Sequence, residues 1–246
     1  MRLLTALAAA ALYNAASVWV FYVALEPHVR RAWPECLVSW VRLLSGRLQD
    51  PLVGRDVLIG LAVYQTLALG TLAILAVAAP GGFEGPGITT GLAPLAGTRF
   101  YLAALADAPR NGILVGTFYL LALLLVRTLL RGRRAAVPVF AVALFVLVLA
   151  YFGVLSGTPF ALLPVLLAAF YAGGLTLILV RLGLLPMVII SSLFDLAVSL
   201  PLTFDVDAWY VGLTLWTMAL LLVVAVWAYR TSQHRGAVDA PSIAPA

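Results

Sequence analysis

Long apolar runs separated by short polar segments make up most of this chain. Seven runs have about the 20 apolar residues that a helix needs to cross a bilayer core. They cover residues 3–25, 57–79, 112–130, 137–155, 160–180, 182–204 and 208–229. The run 182–204 is the least regular, because it contains Pro186, Asp195 and Pro201. The pattern predicts an all-α fold: a polytopic transmembrane helix bundle of about seven spans that forms a single domain over residues 1–230.

The segment 36–48 has a helical pattern of its own. Its apolar positions recur at spacings of three and four, which predicts an amphipathic helix lying in the membrane interface. These positions are Leu37, Trp40, Val41, Leu44 and Leu48.

The loop 80–112 begins with a stretch rich in Gly and Pro. Its residues 99–108 predict a second, short interfacial helix that ends at Asp107, Pro109 and Asn111 before the third span begins. The first run, 3–25, also resembles a signal peptide because Arg2 precedes an Ala-rich stretch. We favour a span, since the run is long for such a peptide and ends in aromatic residues.

Composition supports a membrane location. The chain is 64% hydrophobic and 10% charged, and its mean hydropathy is +1.09, whereas soluble domains are about 25% charged. We therefore expect the lipid bilayer to be the main partner. The net charge of +5 indicates contact with anionic headgroups and no nucleic-acid partner, because the basic residues lie at the ends of apolar runs.

The arginines also predict the orientation. All 15 basic residues are Arg. With seven spans and an external amino terminus, twelve lie on the cytoplasmic side and only Arg2, Arg99 and Arg110 lie outside. With six spans, Arg230 and Arg235 also move outside, and the ratio falls to ten against five. We predict seven spans in the cytoplasmic membrane, the amino terminus outside, and a disordered cytoplasmic tail over 231–246.

Nine of the 25 charged residues lie between positions 26 and 56, on the predicted cytoplasmic side. Mutual pairing beneath the bundle is one interpretation, and recognition of a phosphate-bearing or kinase partner through arginine is the other. We call six of these residues the charged collar: Glu26, Arg30, Arg31, Asp50, Arg55 and Asp56.

Asp195 is the clearest ionisable residue inside a predicted span. Acids at such depth are rare and often mark ion, proton or solute paths. Asn14 in the first span and Gln65 in the second add polar groups that could contact it between helices, and Ser191, Ser192 and Ser199 lie near it on the same helix. The alternatives are that Asp195 is protonated or hydrogen-bonded in a structural role, or that 182–204 lies partly in the interface.

The sequence offers little for catalysis. His28 and His234 both lie outside the spans, so neither a membrane zinc site nor a histidine-activated serine is expected. Cys36 is the single cysteine, which excludes an intramolecular disulfide. We expect no catalytic residue, no metal and no cofactor.

Three segments resemble the membrane region of bacterial serine/threonine protein kinases. They are LEPHVRRAWP at 25–34, DPLVGRD at 50–56 and FDVDAWYVG at 204–212. The resemblance implies an anchor or sensor module of a signalling system with a kinase or another cytoplasmic partner. Kinase motifs and lysine are absent from this chain, so we do not expect it to be an enzyme. The alternative is a small transporter or proton-coupled carrier that uses Asp195.

Overall fold

The computed structural model describes residues 34–78, 92–130, 133–156, 162–201, 203 and 205–233, together with five isolated helical positions between 12 and 23. All regular secondary structure in these residues is helical, so the all-α prediction is confirmed for them. The α-helices are α1 (Val38–Leu44), α2 (Pro51–Ala78), α3 (Thr98–Leu129), α4 (Arg133–Ser156), α5 (Leu162–Arg181), α6 (Leu184–Ser199) and α7 (Val211–Gln233). Short 3-10 turns, Pro34–Leu37 and Ala93–Ala96, precede α1 and α3.

Among the described residues, five helices are long and apolar enough to cross a membrane, namely α2, α3, α4, α5 and α7. Their outer surfaces remain apolar. On α7, for example, Leu215, Leu222 and Val223 are each about two-thirds exposed (64%, 65% and 65%). Large exposed apolar surfaces of this kind suit contact with lipid and not with water. The described chain is therefore a multi-pass helical membrane protein.

Helix α6 lies at the centre of the bundle and contacts α1, α2, α3 and α5. Its first five residues are all apolar and all buried, as expected for a helical segment that is apolar on every side. Pro186 is accommodated because it occupies the first turn, where its missing N–H is not needed. The helix ends at Ser199 because Leu200 precedes Pro201 and is extended, with φ −107° and ψ 133°.

Glycines allow α6 to pack closely against its neighbours. A Cβ at Gly112 of α3 would lie 2.0 Å from Ser192 Oγ, and one at Gly116 would lie 2.9 Å from a methyl carbon of Val188. Residue numbers that increase along α3 are paired with residue numbers that decrease along α6, so the two helices are antiparallel. Small residues at such contacts are typical of helix association in membranes.

Helix α3 corrects the prediction for residues 99–130. The short interfacial helix 99–108 and the separate span 112–130 are one continuous helix of 32 residues, with Pro109 inside it. Proline is tolerated in a membrane helix when its neighbours hold the backbone in place. Here Ala108, the residue before Pro109, packs with Leu196 and Leu200. Helix α3 therefore remains in contact with the carboxyl-terminal end of α6 at the position of the proline.

Other boundaries also differ from the prediction. Helix α2 begins at Pro51 and not at 57, because Asp50 Oδ1 accepts the Leu52 N–H and proline is favoured at the first helical position. The predicted amphipathic helix 36–48 is shorter, and its apolar stripe is divided between two environments. Leu37 and Trp40 are buried in the bundle core, whereas Leu44 and Leu48 are exposed.

At the carboxyl end, α7 continues to Gln233, past the predicted end of the last span at 229 and into the predicted tail. Residues 234–246 lie outside the described residues, as does most of the first predicted span, 3–25.

Candidate functional site in the membrane

Asp195 is held by α3. The side-chain amide Nδ2 of Asn111 donates a hydrogen bond of 3.0 Å to Asp195 Oδ1. Arg110 in turn donates to Asn111 Oδ1 at 3.0 Å, and its Nε lies 3.5 Å from Asp107 Oδ1. These four residues form a polar network in which a charged donor orients the amide that contacts the acid.

The network lies in the amino-terminal half of α3 and near the carboxyl-terminal end of α6. Asn111 follows the start of α3 by 13 residues, and Asp195 precedes the end of α6 by four residues, about 6 Å at 1.5 Å per residue. Asp195 lies inside the apolar helix α6, and its depth in a bilayer stays a prediction. An acid in a membrane helix is costly and usually faces the bundle interior or a cavity.

Asp195 faces such a cavity. A space of about 400 Å³ lies between α3, α4, α5 and α6, and both Asn111 and Asp195 line it together with Ser191. Small-molecule sites in proteins are commonly about 300–1,000 Å³, so the volume suits a small ligand. We call this space the Asp195 cavity. Its aromatic lining residues are Tyr119, Tyr151, Phe152, Tyr171 and Phe194.

The aromatic wall is continuous. The ring centroid of Tyr171 lies 5.5 Å from that of Phe152 and 6.2 Å from that of Phe194, distances typical of favourable ring pairs. The hydroxyl oxygens of Tyr171 and Thr71 are 3.0 Å apart, within hydrogen-bonding distance. Helix α2 thereby fixes the central ring of the wall.

The predicted polar partners of Asp195 are only partly found around it. Ser191 lines the cavity, whereas Ser192 donates its hydroxyl to the Val188 carbonyl oxygen at 2.7 Å. Gln65 is exposed on α2 and is not among the lining residues of the Asp195 cavity. Asn14 lies outside the described residues.

The sequence analysis missed Asn111 as a site residue and interpreted it as a helix terminator beside Pro109. The sequence signal that could have identified Asn111 was its side-chain amide, which lies between two apolar stretches whose combined length is that of one long span. Nothing in the local pattern indicated which acid it meets, since the pair is separated by 84 positions.

The charged collar forms local pairs where the structure describes it. Arg42 NH1 lies 2.7 Å from Asp50 Oδ2, and Arg55 donates through Nε and NH2 to Asp56 Oδ1 at 3.1 and 3.0 Å. Asp50 thus both pairs with Arg42 and caps α2, a role the sequence analysis did not predict. Glu26, Arg30 and Arg31 lie outside the described residues.

A second, smaller cavity of about 240 Å³ lies at the collar. Its lining residues include Ser39, Arg55, Asp56 and Arg181, together with Cys36 and Gly183. Its acid is already neutralised by Arg55, so it is a weaker candidate for a ligand site than the Asp195 cavity. Among the described residues, no group of three or more His, Cys, Asp or Glu side chains could hold a metal ion.

Comparison with known proteins gives no match: no family model, no curated protein and no solved structure is similar to this chain. The resemblance to the membrane region of serine/threonine kinases therefore stays a prediction made from the sequence.

Proposed function

We propose that this protein is a small multi-span carrier that binds its solute in the Asp195 cavity. The observation that carries the proposal is the position of Asp195, which lines a cavity of about 400 Å³ between four helices and has one oxygen held by Asn111. Ligand sites commonly lie between the helices of a bundle, and intramembrane acids commonly belong to proton or solute paths.

A structural role explains the acid less well. Placing an aspartate at the centre of a membrane helix costs about 2.5–3.5 kcal/mol on insertion scales, whereas hydrogen bonds between membrane helices contribute only about 0.6 kcal/mol on average. An uncharged amide at position 195 would accept the Asn111 hydrogen bond without placing a charge in the membrane. The carboxyl group therefore supports a role in binding a proton or a charged solute, because an amide neither titrates nor carries charge.

We further propose seven spans, with the amino terminus outside and the charged collar in the cytoplasm of a bacterial cell. The distribution of arginines favours this arrangement, since twelve of the 15 lie on the proposed cytoplasmic side even though Arg110 lies within α3. The antiparallel packing of α6 on α3 supports α6 as a crossing segment despite its 16 residues.

Labelling of single cysteines tests the topology. In a Cys36→Ser background, a cysteine replacing the exposed Asp207 should react with an impermeant maleimide added to intact cells. A cysteine replacing Gln233 should react only after the cells are permeabilised. The opposite pattern would exclude the proposed orientation, and external reaction at both positions would exclude the crossing of α7.

Proteoliposomes test the carrier. Vesicles with the full chain are incubated in a bacterial metabolite extract, washed, and analysed by mass spectrometry. At least one small molecule should accumulate with the wild type and with Asp207→Asn, the matched control, and not with Asp195→Asn. Equal accumulation with all three proteins, or none with the wild type, would overturn the proposal.

The second candidate is the anchor or sensor module of a kinase-related signalling system. The feature that favours it is the charged collar, where the exposed Arg181 borders a polar cavity beside the Arg55–Asp56 pair. An in-frame kinase domain encoded immediately upstream of Met1 would support this candidate. An unrelated upstream gene, together with Asp195-dependent uptake, would favour the carrier.

A further inference from the structure

We infer that the Asp195 cavity selects an amphipathic organic cation, namely an ammonium group attached to an apolar body. The inference rests on the proposed role of the cavity as a solute site and adds the chemical class of the solute. Charge, hydrogen-bonding capacity, aromatic lining and access each contribute to it.

The charge balance favours a cation. Arg110 is the cationic member of the polar network, and it is engaged by Asp107 and by the Asn111 carbonyl oxygen. The network holds one basic and two acidic side chains, and among the described residues the arginine pairs with Asp107 and not with Asp195. A carboxylate attracts a cation and repels an anion, so the Asp195 carboxyl group favours a cationic ligand over an anionic one.

Asp195 also has an oxygen available. Asn111 donates to Oδ1, and no hydrogen bond from the described part of the chain reaches Oδ2. An ammonium group supplies several N–H donors, and hydrogen bonds to a charged acceptor are roughly twice as strong as neutral ones. Ser191, one turn before Asp195, lines the same cavity and offers a hydroxyl oxygen as a second acceptor.

The walls suit the rest of such a ligand. Ring faces attract cations within about 6 Å of the centroid, and the Phe152–Tyr171–Phe194 wall provides three adjacent rings. The remaining lining is aliphatic and fits an apolar body. These residues are Val115, Leu147, Val148, Leu175 and Ile190.

The cavity is accessible from the side of the bundle. Val115, Leu147 and Tyr151 line it and are 38%, 53% and 44% exposed. This opening lies within helices that are long enough to span the bilayer, so a ligand that partitions into lipid can enter laterally. A permanently hydrated ion lacks this route, which favours an amphipathic cation over an inorganic one.

The experiment uses three probes of one shape and different charge: 4-phenylbutylamine, 4-phenylbutanol and 4-phenylbutyrate. Binding to the full chain in lipid nanodiscs is measured by isothermal titration calorimetry, with empty nanodiscs giving the partition background. The amine should bind with a stoichiometry of one and at least tenfold more tightly than the alcohol or the acid. Asp195→Asn should weaken amine binding at least tenfold, and Asp207→Asn should leave it unchanged.

A second variant tests the wall without altering the acid. Phe194→Leu keeps an apolar side chain and removes a ring, and it should weaken amine binding by about 2-fold to 30-fold while leaving alcohol binding within twofold. An equal loss for the two probes would show that the rings contribute shape alone, and the cation–π part of the inference would fail.

The outcomes separate the class of ligand from the function of the cavity. Asp195-dependent binding of the alcohol or the acid, as tight as that of the amine, would overturn the cation class and leave the carrier proposal intact. Amine binding that is unchanged in Asp195→Asn, or absent from the wild type, would overturn the assignment of this site to cations.

Discussion

Replacing Gly112 with alanine tests the close contact between α3 and α6 on which the Asp195 network depends. The new Cβ would lie 2.0 Å from Ser192 Oγ, 2.6 Å from the Val188 carbonyl oxygen and 2.8 Å from the Ser192 nitrogen. Ordinary van der Waals contact is about 3.5–4.0 Å. The serine hydroxyl can rotate away, but the two backbone atoms cannot, so α3 must move away from α6.

The chain provides a matched control at Gly173 of α5, where a Cβ would have no heavy atom within 4 Å. Both substitutions gain the same helix propensity, up to about 1 kcal/mol, and this gain cancels when the two variants are compared. The remaining difference is the cost of overpacking, about 1–3 kcal/mol, plus about 0.6 kcal/mol for the adjacent Asn111–Asp195 hydrogen bond. Gly112→Ala should therefore be about 2–4 kcal/mol less stable than Gly173→Ala.

Reversible unfolding in mixed micelles with increasing sodium dodecyl sulfate, followed by far-ultraviolet circular dichroism, measures this difference. Adding Ser192→Ala to Gly112→Ala should restore only part of the loss, because the clash with backbone atoms remains. Equal unfolding curves for Gly112→Ala and Gly173→Ala would refute the close α3–α6 contact, and full rescue by Ser192→Ala would place the whole clash in the hydroxyl group.

Three further predictions use comparable measurements. Truncating Asn111 and Asp195 to alanine, singly and together, should give a coupling free energy of about 0.6–1.7 kcal/mol in unfolding; zero coupling would contradict the hydrogen bond. Asp50→Ala should lower the free energy of unfolding by about 1–2 kcal/mol, because it removes both the α2 cap and the Arg42 pair. Asp50→Asn should lower it by at most about 1 kcal/mol, and equal losses for the two variants would argue against the cap. Cys36, only 5% exposed, should react with maleimide far more slowly in native micelles than in sodium dodecyl sulfate, and equal rates would contradict its burial.

The hydropathy of the sequence predicted most of the bundle. Helices α2, α4, α5 and α7 match apolar runs of about 20 residues, because transfer from water to lipid depends on a sum over the whole run. The same reasoning identified Asp195, since an acid is conspicuous among apolar neighbours. It was less successful at Pro109, where a local terminator was interpreted as the end of a helix that continues because α6 packs against it.

The partners of each side chain depended on tertiary structure. The Asn111–Asp195 hydrogen bond joins helices 84 residues apart, and the aromatic wall combines rings from α4, α5 and α6. The apolar stripe of α1 shows why these partners could not be derived from the sequence. Leu37 is buried against protein and Leu44 is exposed, although both positions are equally apolar.

In a soluble protein, an apolar face indicates the core. In a membrane, lipid and protein interior are similarly apolar, so helix packing depends on shape and on scattered polar contacts. The sequence by itself therefore determined that this chain lies in a membrane and which acid is unusual. The tertiary structure alone decided that Asp195 meets Asn111 and that both face an aromatic cavity, because those contacts arise from glycine-mediated packing between distant segments.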